Sequence, residues 1–351
     1  MATIEYVDQT IRDGQQSLWG MHMRPGHVLP VAGAIDRAGY RCVDFVGGTI
    51  FEVLIRHHLE DPWRGLDAVV AALPHCTIRA GRRTNGVGGM GLMPDVILEL
   101  WIRTLANHGV RSMWLMDCLH DIDAMTRTAT IIDSCGVECA PQINFSLSPF
   151  HTDEYYVGVI DALVGAPGVT SVILGDETGA LGVERGLTWI PLMISRAGDF
   201  PVELHFHNTT GQGTINYEIG VRAGASILHT CVASLANGPS LPSTEVSVDN
   251  MRRLGHDIAI DESELDAVCD HFAAIADMEG YAVGVPAEYR LSVVQSQIPG
   301  GMMGTLRDQL AQARMSDRLD EALEEAIRVR AEFGYPITCA PNGVWPRPTR
   351  S

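Results

Sequence analysis

Pro201-Val202-Glu203-Leu204-His205-Phe206-His207-Asn208 is the stretch on which the fold turns. It reads as a short, largely apolar strand, and segment 212–223 after it has helical periodicity. The same unit recurs along the chain. Candidate strands lie at 3–9, 42–48, 77–83, 112–118, 138–145, 171–177, 202–208 and 226–233. Helical segments such as 27–38, 93–108, 121–135, 153–165, 184–196 and 212–223 follow them. Eight β–α units at this spacing predict a parallel (β/α)₈ barrel over residues 1–255. The strands are apolar nearly throughout, as strands buried on both faces must be. An open doubly wound sheet is the alternative, but it usually carries a Gly-rich turn after strand one. Here that turn is Arg12-Asp13-Gly14-Gln15-Gln16. Beyond 255 the pattern changes. Segments 262–278 and 318–333 read as charged helices, Ile298 to Met303 as a loop between them, and Pro336 to Ser351 as an irregular tail. Residues 256–351 are expected to form a helical extension over one end of the barrel.

The 351 residues suffice for one large barrel plus this extension, and 46% hydrophobic content fills its core. A net charge of −18 excludes the basic face that nucleic acids require and disfavours an anionic membrane. No apolar run reaches the ~20 residues of a membrane span. The first residues lack the pattern of a secretory signal, so a cytoplasmic protein is expected. Eight scattered cysteines form no C-x-x-C and read as reduced thiols. The sequence contains no lysine, and all 25 basic residues are arginines. A lysine Schiff base, a lysine-anchored pyridoxal phosphate and a Walker P-loop are thereby excluded. A carbanion would need another electrophile, and a metal ion is the natural one.

Active sites of such barrels form at the C-terminal strand ends. Strand 1 ends in Arg12-Asp13, strand 3 in Arg82-Arg83, strand 4 in Asp117, strand 6 in Asp176-Glu177, and strand 7 carries His205 and His207. The two histidines alternate, so both point to one face. With Asp13 they make a two-imidazole, one-carboxylate set that leaves positions open for substrate. The alternative is a pair of hydrogen-bonded core histidines.

Asp8-x-Thr10-x-Arg12-Asp13-Gly14-x-Gln16 with His205-x-His207-Asn208 resembles the DRE-TIM metallolyase superfamily. Gly47-Gly48-Thr49-Ile50-Phe51-Glu52, Glu60-Asp61-Pro62-Trp63, His151-Thr152-Asp153-Glu154-Tyr155-Tyr156 and Ile298-Pro299-Gly300-Gly301-Met302 are similar to its carboxyltransferase branch, the subunits of pyruvate carboxylase and oxaloacetate decarboxylase. The resemblance implies Asp13, His205 and His207 as metal ligands and Arg12 as the arginine that stabilises an enolate oxygen. It implies Gln16 and Arg82 as holders of a 2-oxo acid. For Arg12 the alternative is an ion pair with Asp13 or Asp8, and for Arg82 it is that Arg83 points inward instead. Two departures stand out. The branch places a metal-bound carboxylated lysine where this chain has Gly175. It places a proton-shuttling threonine where this chain has Pro239. Biotin is therefore not expected as a cofactor. Glu177 is a candidate replacement ligand or acid/base, with a solvent-facing position as the alternative. Asp117 is a candidate partner for metal-bound water or a ligand histidine, or else structural. Asn237 and Ser240 are weaker candidates for a missing ligand or proton donor.

The resulting expectation is a lyase with one divalent ion (manganese, zinc or cobalt). It would act on a small 2-oxo acid through a metal-stabilised enolate, by decarboxylation of oxaloacetate-like acids or by aldol-type cleavage or condensation with pyruvate. The alternatives are a carboxyltransferase or acyl-CoA condensing enzyme, and a non-catalytic barrel subunit. A homo-oligomer is expected, with neither nucleic acid nor membrane as partner.

Overall fold

Residues 3–88 and 91–338 are described by a computed structural model. Eight strands close a barrel in sequence order, and every neighbouring pair is parallel. They are β1 (Glu5–Asp8), β2 (Cys42–Gly47), β3 (Thr77–Arg83), β4 (Ser112–Met116), β5 (Glu138–Asn144), β6 (Val172–Asp176), β7 (Val202–Phe206) and β8 (Ile227–Thr230). The expected (β/α)₈ barrel is the observed architecture. Several strands end a residue or more before their expected limits because polar side chains there leave the ladder. His207 lies just past β7, yet its N–H still bonds the carbonyl of Asp176 at 3.0 Å.

Strand periodicity sorts the side chains into two cores. Outward residues meet the helices, where Tyr156, Trp189 and Phe145 stack and cross. Inward residues fill the barrel in layers. Val7, Cys42 and Ile227 form an apolar group. Trp114, Met116, Ala140 and Ile173 form another, nearer the C-terminal mouth. The Trp114 indole fits because its register partner is Gly81, where a Cβ would come within 2.0 Å of the ring. Between these layers lies a charged belt, Arg79, Ser112, Ser171, Glu203 and His229, each at most 4% exposed.

The chain beyond 255 adds helices Glu262–Glu279, Leu291–Ser296, Gly300–Gln312 and Leu319–Glu332. The first packs Leu265, Val268 and Phe272 against the barrel's side, with Phe272 edge-on to Trp19 at 6.0 Å. The later part docks over the C-terminal end of β5. Gln297 Oε1 accepts from Ser146 Oγ and the Leu147 N–H, and Arg330 donates to Ser146 Oγ. Residues 298–303, expected as a loop, are helical from Gly300, with Pro299 starting the helix. Proline lacks the N–H that a first turn leaves unpaired, so the Pro-Gly signal marks a helix start here and not a break. Of the expected irregular tail, residues 339–351 lie outside the described residues.

His120, at φ 49°, ties the β4–α loop to β5. Its Nε2 accepts the Asn144 N–H at 3.0 Å, so the proton sits on Nδ1 and faces the Tyr155 hydroxyl at 2.8 Å. Burial, with His151 nearby, pulls its pKa down to about 3. An unfolded histidine takes up its proton near pH ~6.5, well before the folded one does. The stability His120 confers is therefore complete above that value and drains away as the pH falls towards 3. Nitrogen-15 imidazole spectra should show His120 as an unchanged Nδ1–H tautomer from pH 8 down to about 5. A midpoint near 6.5 would contradict this placement.

Candidate metal centre

At the end of β1 the Asp8 carboxylate accepts from the Thr10 N–H at 3.0 Å, and the Thr10 hydroxyl accepts from the Val232 N–H at 2.9 Å. These bonds turn the chain into a wide π-helical turn, Thr10–Gly14, whose five residues are all buried. Such turns recur at functional sites because they re-aim side chains off the regular helical path. Here Arg12 and Asp13 both enter the barrel mouth. After β6 the same division of labour recurs. The Asp176 carboxylate is consumed by the N–H groups of Thr178, Ala180 and Leu181, which fixes the turn. Glu177, next along the chain, turns inward.

Asp13, Glu177, His205 and His207 meet there, each offering one ligand atom, and these atoms lie within 4.8 Å of one another. His205 Nε2 is 3.6 Å from Asp13 and 3.7 Å from Glu177, and His207 Nε2 is 3.5 Å and 3.3 Å from the same two carboxylates. Four ligands at about 2.0–2.1 Å from a tetrahedral ion are about 3.3–3.4 Å apart. The four imidazole–carboxylate distances are thus within a few tenths of an ångström of that spacing, while the set as a whole spreads to 4.8 Å and would draw in around an ion. His205 Nε2 and His207 Nε2 are buried without a hydrogen bond, an arrangement that is costly unless a ligand completes it, and Asp13 Oδ2 is met by the Arg12 guanidinium at 2.9 Å. Two carboxylates and two neutral imidazoles suit a divalent ion with nitrogen and oxygen preference.

The imidazole tautomers follow from what lies behind them. Burial alone would raise the Glu203 carboxyl, but Arg79 and His229 hold it well below the usual range. It therefore accepts from His229 Nε2–H at 2.7 Å. Burial keeps His229 neutral, with a pKa of about 4, so its Nδ1 is an acceptor. That acceptor faces His205 Nδ1 at 3.0 Å, so His205 carries its proton on Nδ1 and a lone pair on Nε2. His207 Nδ1–H donates to the Pro239 carbonyl at 2.7 Å, which leaves its Nε2 aimed at the cluster too. Burial opposes protonation of His207, yet Asp13 and Glu177 raise its pKa well above the ordinary value. In the same way burial would raise Asp13, but Arg12 and His207 hold it well below the carboxylate range. The pocket attracts positive charge.

Arg12 stands beside it. Its NH2 lies 2.9 Å from Asp13 Oδ2, its Nε donates to Asp44 and Gln9 at 3.1 Å, and its guanidinium covers the Trp114 ring at 4.7 Å. Arg12 is thus ion-paired with Asp13 and Asp44, and its guanidinium stands beside the cluster. Two other expected residues are elsewhere. Asp117 is a correction: its carboxylate caps the N–H groups of Leu119 and Asp121 and accepts from Thr84, so it braces the β4 loop. Arg82 is a second. On β3, Arg79, Gly81 and Arg83 share the inward face, so Arg82 points outward and donates to the carbonyls of Leu98, Arg83 and Thr84. Burial brings its pKa down to about 10. Gln16 is half-buried on the short helix Gln15–Trp19 that follows Asp13. Asn237 accepts from the Asn208 amide, and Ser240 donates to the Leu235 carbonyl, so neither joins the cluster. Sequence reasoning missed Glu203 and His229, although Glu203 shares the period-2 face of His205 and His207.

An HMGL-like family model matches residues 106–271, and a conserved carboxylase domain matches residues 293–342. A pyruvate carboxylase subunit from Methanocaldococcus jannaschii is 28% identical over 97% of this chain and 60% of its own length. The subunit of the same name from Methanothermobacter thermautotrophicus is 30% identical, with the same coverage. The chain therefore spans about three fifths of the length of these relatives. Among solved structures, the carboxyl transferase domain of Rhizobium etli pyruvate carboxylase with pyruvate superposes with a TM-score of 0.90 at 22% identity, over 97% of this chain and 59% of that one. That likeness establishes the fold.

Glu203→Gln should separate the belt's two duties. It leaves the Arg79 guanidinium buried without a countercharge, which costs about 3–5 kcal/mol. It also loosens the tautomer of His205, which should weaken metal binding about 10–100-fold. Denaturant unfolding and metal titration measure the two losses. A stability change under about 1 kcal/mol would show that the belt is not an ion pair of consequence.

Proposed function

From a closed barrel that carries an HMGL-like segment and a conserved carboxylase segment, we propose a metal-dependent enzyme that makes or breaks the bond between a carboxyl group and the carbon next to a 2-oxo acid's carbonyl. The observation that carries this reading is the buried Asp13–Glu177–His205–His207 cluster with Arg12 beside it at the C-terminal mouth. The relatives' names favour carboxyl transfer over aldol-type cleavage, since they are carboxylase subunits. A divalent ion held by those four residues would supply Lewis acidity to the 2-oxo oxygen.

The chain's own residues do the rest. Asp44, Gln9 and Trp114 hold Arg12 rigid, so its charge is already in place where an enolate oxygen would develop, and no reorganisation is needed. Arg83, the inward neighbour of Arg82, lies over the loop at Gly86 and takes the role of partner for the substrate carboxylate. Heterolysis of the C3–C4 bond of oxaloacetate releases carbon dioxide and leaves the electron pair on pyruvate enolate, which a proton then quenches at C3. The cleavage itself needs no base. Bond making is the reverse.

A second reading, decarboxylation with no carrier for the carboxyl group, is favoured by Pro239. Proline has no hydroxyl to move a proton, and its carbonyl is occupied by His207. One assay separates the readings. The purified protein is analysed for metal, then given oxaloacetate with and without biocytin, and pyruvate release is followed. About one ion per chain is expected, with activity falling at least about 100-fold in Asp13→Ala and His207→Ala. Stimulation by biocytin that avidin abolishes indicates transfer, and biocytin-independent release indicates decarboxylation. A protein that holds no metal, and that manganese, zinc and cobalt do not activate, sinks the proposal and leaves a non-catalytic barrel.

A further inference from the structure

We infer that Gln142 positions Glu177 as the fourth ligand, that it does so only because residue 175 is glycine, and that the same amide turns the Asn144 NH2 group towards substrate. The inference rests on reading the cluster as a cation site.

Gln142 and Asn144 lie on the inward face of β5. Gln142 Nε2 is 2.6 Å from Glu177 Oε1 and 2.8 Å from Asn144 Oδ1. Both partners accept, and a side-chain amide nitrogen has two hydrogens, so both are used. Reversing the amide would set its carbonyl against a carboxylate and a second carbonyl, so the orientation has one solution. Glu177 Oε1 is thereby held, and Oε2 stands 3.3 Å from His207 Nε2. Glutamate has three side-chain torsions to order, and this bond pins its far end.

The room for Gln142 comes from the neighbouring strand. Gly175 pairs with Asn144, and its missing Cβ would sit 2.3 Å from Gln142 Nε2, 2.9 Å from Cδ and 3.0 Å from Cγ. A contact under 3.0 Å with a fully engaged amide cannot be absorbed without moving it. Any side chain at 175 therefore expels Gln142 from Glu177. Position 175 and position 142 form one device.

Asn144 completes it. Its Oδ1 is committed to Gln142, so its Nδ2 must point the other way. That nitrogen is buried without a hydrogen-bond partner, on a residue only 1% exposed. An unpaired buried NH2 group is costly, and it lies on the strand beside Glu177. It offers two donors to an anionic oxygen, which matches the carboxylate or carbonyl of a 2-oxo acid.

The test is a metal-affinity cycle. Cobalt(II) and zinc(II) affinities are measured by chelator competition for the full chain and for Gln142→Met, Gln142→Ala, Gly175→Ala and the Gln142→Ala/Gly175→Ala double variant, with the cobalt visible spectrum recorded for each. Each single variant should bind about 10–100-fold more weakly, with an altered cobalt spectrum. The double variant should be no worse than Gln142→Ala, because the added methyl then has nothing to expel. Gln142→Met keeps the volume and removes only the N–H donors, so it decides the question even if the smaller variants fold poorly. Asn144→Leu in the metal-loaded protein should weaken oxalate about tenfold, the worth of one charge-assisted hydrogen bond. Wild-type affinity in Gln142→Met, or additive losses in the double variant, overturn the positioning role. Unchanged oxalate binding overturns the role of Asn144. If the parent chain itself binds no metal, the cation reading has failed instead.

Discussion

The bidentate pair between Arg79 and Glu203, sealed in the waist of the barrel, is the interaction that organises everything above it. Both groups are essentially unexposed, and desolvating them costs several kcal/mol each before their attraction is counted. Nothing in that balance makes the pair a strong source of stability. Its value is directional. Glu203 is anchored by Arg79 and Ser171, so His229 must donate to it, and His205 must then present a lone pair upward. Protonation states at the mouth are set by charges two layers below it.

The mouth shows the same economy of means. At the end of β6, Asp176 spends both oxygens on backbone N–H groups of the following turn, and at the end of β1, Asp8 Oδ1 accepts from the Thr10 N–H and hydroxyl. Asp13 and Glu177, further along each turn, are thereby aimed inward, where they face the two imidazoles and are steadied by Arg12 and Ser17 on one side and Gln142 on the other. With no lysine in the sequence, the permanent positive charge at the site is arginine, which does not titrate near neutrality. Arg12, together with His207, sets the field in which Asp13 stays ionised.

The chain past residue 255 belongs to this arrangement. Gly300 lies against Pro239, where a Cβ would come within 2.1 Å of the proline ring, and Pro239 holds His207 through its carbonyl. Gln297 and Arg330 fasten the C-terminal helices to the backbone just beyond β5, the strand that carries Gln142 and Asn144. The later helices thus back two walls of the site without entering it.

The barrel, the inward pairing of His205 and His207, and the approach of Asp13 and Arg12 were all legible in the order of residues. They follow from local periodicity and from the rule that strand ends converge, which need no coordinates. Composition also excluded lysine chemistry outright. Packing in three dimensions was needed to tell which neighbour of each polar pair faces in: Arg83 and not Arg82, Glu177 and not Asp176. A shift of one residue in register exchanges them, and register is fixed by cross-strand packing such as that of Trp114 on Gly81. Asp117 left the site for the same kind of reason, because its oxygens were claimed by a turn whose shape no local pattern announces. Glu203, His229 and Gln142 were invisible as a set because each bonds to a residue on another strand. Which polar groups meet inside a barrel is settled by its closure, not by its order of residues.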